Sequence, residues 1–295
     1  MNSANMNDFS MDSRALAGSL TAKLHAAREA GFSQVTLCAQ DLVNHPDGVD
    51  AAVASVQASG LCVSAFQADC DFEGQSGPLH TFKLDLAKSM LRLCQALDCP
   101  LLVLPSSRLA AADTGNAMVL GLRQLAMLAI PLNIKIAYQG WTGAAVVQTY
   151  LQAWDLVCEA DMPNLGLSLD SQEVLAANLP QDDLLADLEM LDADRLFLVQ
   201  LADLVASARL PAQPLRVLPG DGTHRAALAA LVTSLHGLGY RGGYNLAAFN
   251  GDYAAMPPHH VAQRARVSAL WLGQDVLQRS VPLPNQIRLR HTLTV

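Results

Sequence analysis

Lysine is scarce in this chain, with only Lys23, Lys83, Lys88 and Lys135 among 295 residues. Lysine and arginine together number 19 against 27 acids, a formal charge of −8. That balance lacks the basic footprint with which nucleic-acid binders displace counterions from phosphates. Long apolar runs are missing too. Arg, Asp, Gln or Gly interrupts every candidate before the ~20 residues a bilayer crossing needs. Residues 1–13 have neither the basic start nor the apolar stretch of an export signal, so no signal peptide is expected. The six cysteines, Cys38, Cys62, Cys70, Cys94, Cys99 and Cys158, contain no CxxC pair. They are expected to be buried, reduced thiols of a cytoplasmic protein rather than disulfides or a zinc site. Neither GxGxxG nor GxxxxGK[ST] occurs, which removes the usual phosphate cradles of doubly wound nucleotide binders. No Ser/His/Asp or Cys/His nucleophile motif is recognisable. A small-molecule ligand, with no nucleic-acid or membrane partner, is the default that remains.

What is present is a hydrophobic fraction of 51%, enough for a large core. Short β-branched or Leu-rich runs alternate with longer stretches of helical spacing. Strands are expected at residues 8–11, 34–39, 61–67, 100–105, 133–139, 165–170, 196–202 and 243–249. Helical stripes include Leu16, Leu20, Leu24 and Ala27, then Leu86, Met90, Leu93 and Leu97. Further stripes are Leu228, Leu231, Leu235 and Leu238, and Val267, Leu270, Trp271 and Leu277. Runs such as Leu196-Phe197-Leu198-Val199 are apolar at every position, as strands covered on both faces require. Eight such units in this length predict an α/β fold, a single-domain (β/α)8 TIM barrel over residues 1–280. The tail, residues 281–295, carries Pro282, Pro284, Arg288 and Arg290. It is expected to pack on the barrel or on a neighbouring subunit, which is compatible with a homo-oligomer.

In such barrels the chemistry sits at the C-terminal ends of the strands. Asp170 closes one apolar strand, where an acid must cap, pair or ligate to offset its desolvation. Gln200 lies within another and must find partners for its amide. Gln139 ends a third and could ligate weakly or contact substrate; Lys135, on the same face, lies deeper and serves structure. Glu173 could turn inward as a substitute carboxylate, or remain a first-turn acid facing the helix dipole. Asp203 could join the site or close a loop. The Pro219-Gly220-Asp221-Gly222-Thr223-His224 loop leads into a helix, and His224 is the best placed of the eight histidines for acid–base work.

The chain resembles the xylose-isomerase-like barrel superfamily of sugar phosphate isomerases and epimerases, and within it metal-dependent 3-dehydroshikimate dehydratases. The resemblance runs from about Leu20 to Leu277 and rests on several segments. Their cores are Gln67-Ala68-Asp69-Cys70-Asp71-Phe72-Glu73-Gly74, Gly166-Leu167-Ser168-Leu169-Asp170-Ser171 and Val199-Gln200-Leu201-Ala202-Asp203. Val217-Leu218-Pro219-Gly220-Asp221-Gly222 and Leu246-Ala247-Ala248-Phe249-Asn250 complete the set. The resemblance implies a divalent-metal box of Glu, Asp, Gln and Glu from four strand ends. Asp170 and Gln200 match the middle pair as metal residues; Gln139 and Ala247 replace the flanking glutamates. Gln139, Asp203 and Asn250 are the candidate substrate-binding residues, and His224 and Glu173 the candidate catalytic ones. The family's basic groups fall on Cys70, Ala145, Val146 and Glu173, and the second-strand carboxylates on Thr36 and Ala39, leaving no evident basic stand-in.

The sequence therefore predicts a divergent isomerase/epimerase-like barrel with an incomplete metal site. Its cofactor is expected to be none, or a weakly bound Mg²⁺ or Mn²⁺, because hard cations are held largely by carboxylate charge. Such a barrel would bind a small polyol or carboxylate-type metabolite with weak or no ancestral activity. The alternatives are an active isomerase, epimerase or dehydratase with a rebuilt site, and a regulatory homologue of an active enzyme. The related apurinic endonuclease branch is disfavoured by the negative charge. Restoring Gln139→Glu and Ala247→Glu is expected to raise metal affinity by orders of magnitude.

Overall fold

Strand β1 (Phe9–Asp12) is followed by β2 (Gln34–Cys38), β3 (Cys62–Gln67), β4 (Leu101–Pro105), β5 (Lys135–Gln139), β6 (Leu165–Asp170) and β7 (Leu196–Leu201). A short antiparallel hairpin, β8 (Asp203–Val205) and β9 (Leu215–Val217), then leaves the sheet, and β10 (Gly243–Leu246) returns to it. All the strands but the hairpin pair in parallel, and β10 sits between β7 and β1 to close the barrel. This computed structural model describes residues 6–109, 115–177, 180–206 and 214–278. Helices between the strands complete a single-domain (β/α)8 barrel, with the strands at their expected places. The tail over residues 281–295 lies outside the described residues.

Two apolar layers hold it together. Leu20, Leu24 and Ala27 on the helix Leu20–Glu29 join Met90 and Cys94 on Gly77–Ala96 in the large cluster between helices and sheet. Inside the barrel a small plug of Ala65, Leu101, Val103, Ala137 and Leu198 fills the lower half. Lys135 begins β5 below that plug, its ammonium 4.6 Å from the Phe197 ring, so it serves the barrel floor. Val267 departs from the expected stripe. It is 67% exposed, because Pro258–Trp271 turns Val261, Ala262, Ala265, Ser268 and Ala269 inward instead.

All six cysteines are free; Cys38, Cys70, Cys94 and Cys99 are buried. Cys62, at the outer start of β3, and Cys158, on the helix Tyr150–Ala160, are exposed, contrary to the expectation that all are buried. Among the described residues no helix is long and apolar enough to cross a membrane.

Candidate functional site at the barrel mouth

Above the apolar plug the barrel interior turns polar, because the period of two puts alternate residues of each strand inside. Thr36 Oγ1 lies 3.1 Å from Ser10 Oγ, and Ser10 donates to Asn245 Oδ1 at 3.2 Å. Asn245 Nδ2 in turn donates to Asp12 Oδ2 at 2.9 Å. Arg14 grips Asp12 with two bonds, Nε to Oδ1 at 3.0 Å and Nη2 to Oδ2 at 2.6 Å. Burial works to raise the Asp12 carboxyl, yet the Arg14 charge and hydrogen bonds outweigh it and hold the group below the usual carboxylate range. Arg14 Nη2 also reaches Gln200 Oε1 at 3.4 Å. Gln200 Nε2 donates to Gln139 Oε1 at 2.7 Å and to Ser168 Oγ at 3.1 Å. Gln139 Nε2 donates to Asp170 Oδ2 at 3.2 Å. The strand ends of β5, β6 and β7 thus converge on one mouth.

A second arginine completes that chain. Arg216 on β9 puts Nη1 2.8 Å from Asp170 Oδ2 and Nη2 3.1 Å from Oδ1, with side chains 10% and 3% exposed. Its Nη1 also donates to Gln172 Oε1, and its Nε to the Ala247 carbonyl, both at 2.8 Å. Both guanidinium groups pack over the Phe249 ring, Arg14 at 4.4 Å and Arg216 at 4.6 Å from its centroid. Asp170 additionally caps the helix Ser171–Ala176, with Oδ1 accepting from Gln172 N at 3.0 Å. The sequence reading found no basic group here; Arg14 and Arg216 correct it.

A cavity of about 760 Å³ opens at this mouth, lined among others by Arg14, Gln67, Gln139, Asp170, Gln200 and Arg216. Trp141, Glu173 and Asn250 stand on its wall. Gln67 heads one of the segments that carry the resemblance but is not among the candidate site residues, and its buried Oε1 accepts no hydrogen bond among the described residues. Glu173 Oε2 accepts from Thr142 N at 3.1 Å, and burial, followed by the nearby Asp170 charge, pushes its carboxyl up. Asn250 caps Gly251–Ala254 and donates through Nδ2 to the Arg216 carbonyl at 2.6 Å.

Asp203 and His224 do not line the cavity. Asp203 is fully buried and turns back on its own loop, accepting from Leu204 N at 2.8 Å, His224 N at 2.9 Å and Gly220 N at 3.3 Å. His224 sits at the start of the helix Arg225–Gly237 with Nδ1 3.1 Å from Thr223 Oγ1. Both residues therefore shape the loop rather than face the mouth, because an acid beside several free backbone amides satisfies them first.

Among the described residues no group of three or more His, Cys, Asp or Glu side chains could hold a metal ion. Both Asp170 oxygens accept from Arg216, and the oxygens of Gln139 and Gln200 each accept a protein N–H. One carboxylate, already neutralised by a guanidinium, does not fit a divalent ion.

A family model described as "Xylose isomerase-like TIM barrel" matches residues 24–272. The 3-dehydroshikimate dehydratase of Pseudomonas aeruginosa is 36% identical over 278 residues, which cover 90% of this chain and 42% of that enzyme. The chain therefore spans less than half of that relative's length. A solved xylose isomerase-like TIM barrel/4-hydroxyphenylpyruvate dioxygenase fusion protein superposes with a TM-score of 0.81 at 27% identity, covering 98% of this chain and 45% of that one. The IOLI protein, solved with a binding zinc atom, gives a TM-score of 0.76 at 18% identity over 91% of this chain and 99% of that one, a likeness of fold alone.

Proposed function

The chain belongs to the xylose isomerase-like TIM barrel family, and on that footing we propose that it binds a small polyol or carboxylate-type metabolite, with ancestral metal-dependent activity weak or absent. The observation that carries this reading is the mouth cavity with an unsatisfied acceptor beside guanidinium donors. Gln67 Oε1 is open to a ligand hydroxyl, and among the described residues Arg14 Nη1 donates to no acceptor, so it is free for a ligand oxygen. The cavity volume suits a metabolite rather than a macromolecule. The two arginines are each matched by a buried acid, Asp12 and Asp170, so the ligand need carry little net charge. Gln139 and Asn250 are then ligand-contacting or ligand-shaping groups.

A rebuilt active site is favoured by one observation. Glu173 faces the mouth with a raised carboxyl, the property a general acid or base requires. Two assays separate the readings. Small hydroxy acids and polyols are expected to raise the melting temperature saturably, as binding to the folded state requires. Turnover of 3-dehydroshikimate is expected to stay at background with or without Mn²⁺. Mn²⁺-dependent turnover that Glu173→Gln abolishes would favour the active site over the binding barrel.

A further inference from the structure

We infer that Arg216 is a built-in cation standing where a divalent ion would otherwise sit, so that the mouth holds its positive charge covalently. Gln139, Asp170 and Gln200, at the ends of β5, β6 and β7, line the mouth, and Ala247 directly follows β10. Asp170 is the one carboxylate of the four, and the guanidinium takes both of its oxygens, at 2.8 and 3.1 Å. Ala247 matters as much. Its backbone carbonyl accepts from Arg216 Nε at 2.8 Å, which ties the guanidinium to the chain directly after β10. Gln172 Oε1 at 2.8 Å and the Phe249 face at 4.6 Å fix the plane of the group. A planar fork suits this bidentate geometry, which a lysine could not reproduce.

The hairpin that delivers Arg216 is itself anchored. Strand β9 pairs with β8 in the register Leu204 to Arg216, and Asn250 Nδ2 holds the Arg216 carbonyl at 2.6 Å. The main chain of Arg216 is therefore fixed at its base, and Asp170, Gln172 and the Ala247 carbonyl hold the guanidinium at its tip. A dication entering beside Asp170 would meet the guanidinium at close range, so metal entry requires Arg216 to leave. For a ligand, the exchange trades a Lewis acid that coordinates an oxygen for a hydrogen-bonding cation that orients one. It also alters the expectation from sequence: restoring Gln139→Glu and Ala247→Glu is not sufficient, because the guanidinium would pair with the new carboxylates.

This inference rests on the metal-poor reading proposed above, and one titration separates their failures. Mn²⁺ is titrated calorimetrically into the wild-type chain, Gln139→Glu/Ala247→Glu, and the triple variant that adds Arg216→Ala. Tight binding by wild type sinks the metal-poor reading itself. With wild type weak, the triple variant is expected to bind about 100-fold more tightly than the double, since affinity for hard cations follows the net charge of the ligand set. Equal affinities of double and triple overturn the assignment of Arg216. Should the alanine variant fail to fold, Arg216→Gln replaces it. The Arg216 Nε–H NMR signal of the double variant gives a separate readout. No Mg²⁺ binding, or binding that displaces that signal in step, supports the inference; saturable binding that leaves it unmoved overturns it.

Discussion

Asp12→Ala is expected to destabilise the fold by about 3 kcal/mol, the low end for breaking an ion pair in a protein interior. The low end applies because the Arg14 side chain keeps 22% of its exposure while Asp12 keeps 1%. The loss arises less from the missing attraction than from a guanidinium left without its carboxylate. Asn245 Nδ2 loses an acceptor at the same time. Arg14→Leu combined with Asp12→Ala should therefore recover part of the stability lost by Asp12→Ala alone. The pH dependence carries a sign. Asp12 is held below the ordinary carboxylate value in the fold, so its contribution is present above the unfolded pKa and disappears as pH falls through the folded one. Urea unfolding of wild type and Asp12→Ala should differ most near neutrality and converge in acid. A gap that widens in acid contradicts the pairing.

Asp203→Ala should cost at least about 3 kcal/mol, because three backbone amides lose their acceptor and each orphaned donor costs about 1–3 kcal/mol. Those amides belong to Leu204, Gly220 and His224, so the loop before the helix Arg225–Gly237 loses its clasp. Ligand affinity per folded molecule should change little, since Asp203 and His224 lie off the cavity wall. Chemical denaturation and ligand titration of the same variant read the two quantities separately. A stable variant with lost binding would favour the site role for Asp203 over the loop-closing one.

The barrel was legible because its strands are short apolar runs covered on both faces, with helical stripes between them. Leu165 to Asp170 and Leu196 to Leu201 could be placed within a residue or two on that pattern alone. The strand-end positions were legible for the same reason, since one parity lets Gln139 hydrogen-bond both Asp170 and Gln200. Arg14 and Arg216 were not. Arg14 lies in a three-residue turn, Ser13–Ala15, after a four-residue strand, and Arg216 in a three-residue strand. Such pieces are too short for periodicity to register. The one available signal was Leu215-Arg216-Val217, a charge between two apolar residues in an otherwise unassigned stretch. Asp203 stays open between site and loop in the sequence for a different reason. An acid after an apolar strand must find partners, but sequence does not reveal whether these are substrate or the next loop's amides.

Anomalous diffraction at the manganese edge from crystals soaked in Mn²⁺ bears most directly on the central claim. The account predicts the Arg216 guanidinium on both oxygens of Asp170, and no anomalous peak between Asp170, Gln139 and Gln200. A full-occupancy peak there, with Arg216 swung away from Asp170, would contradict it.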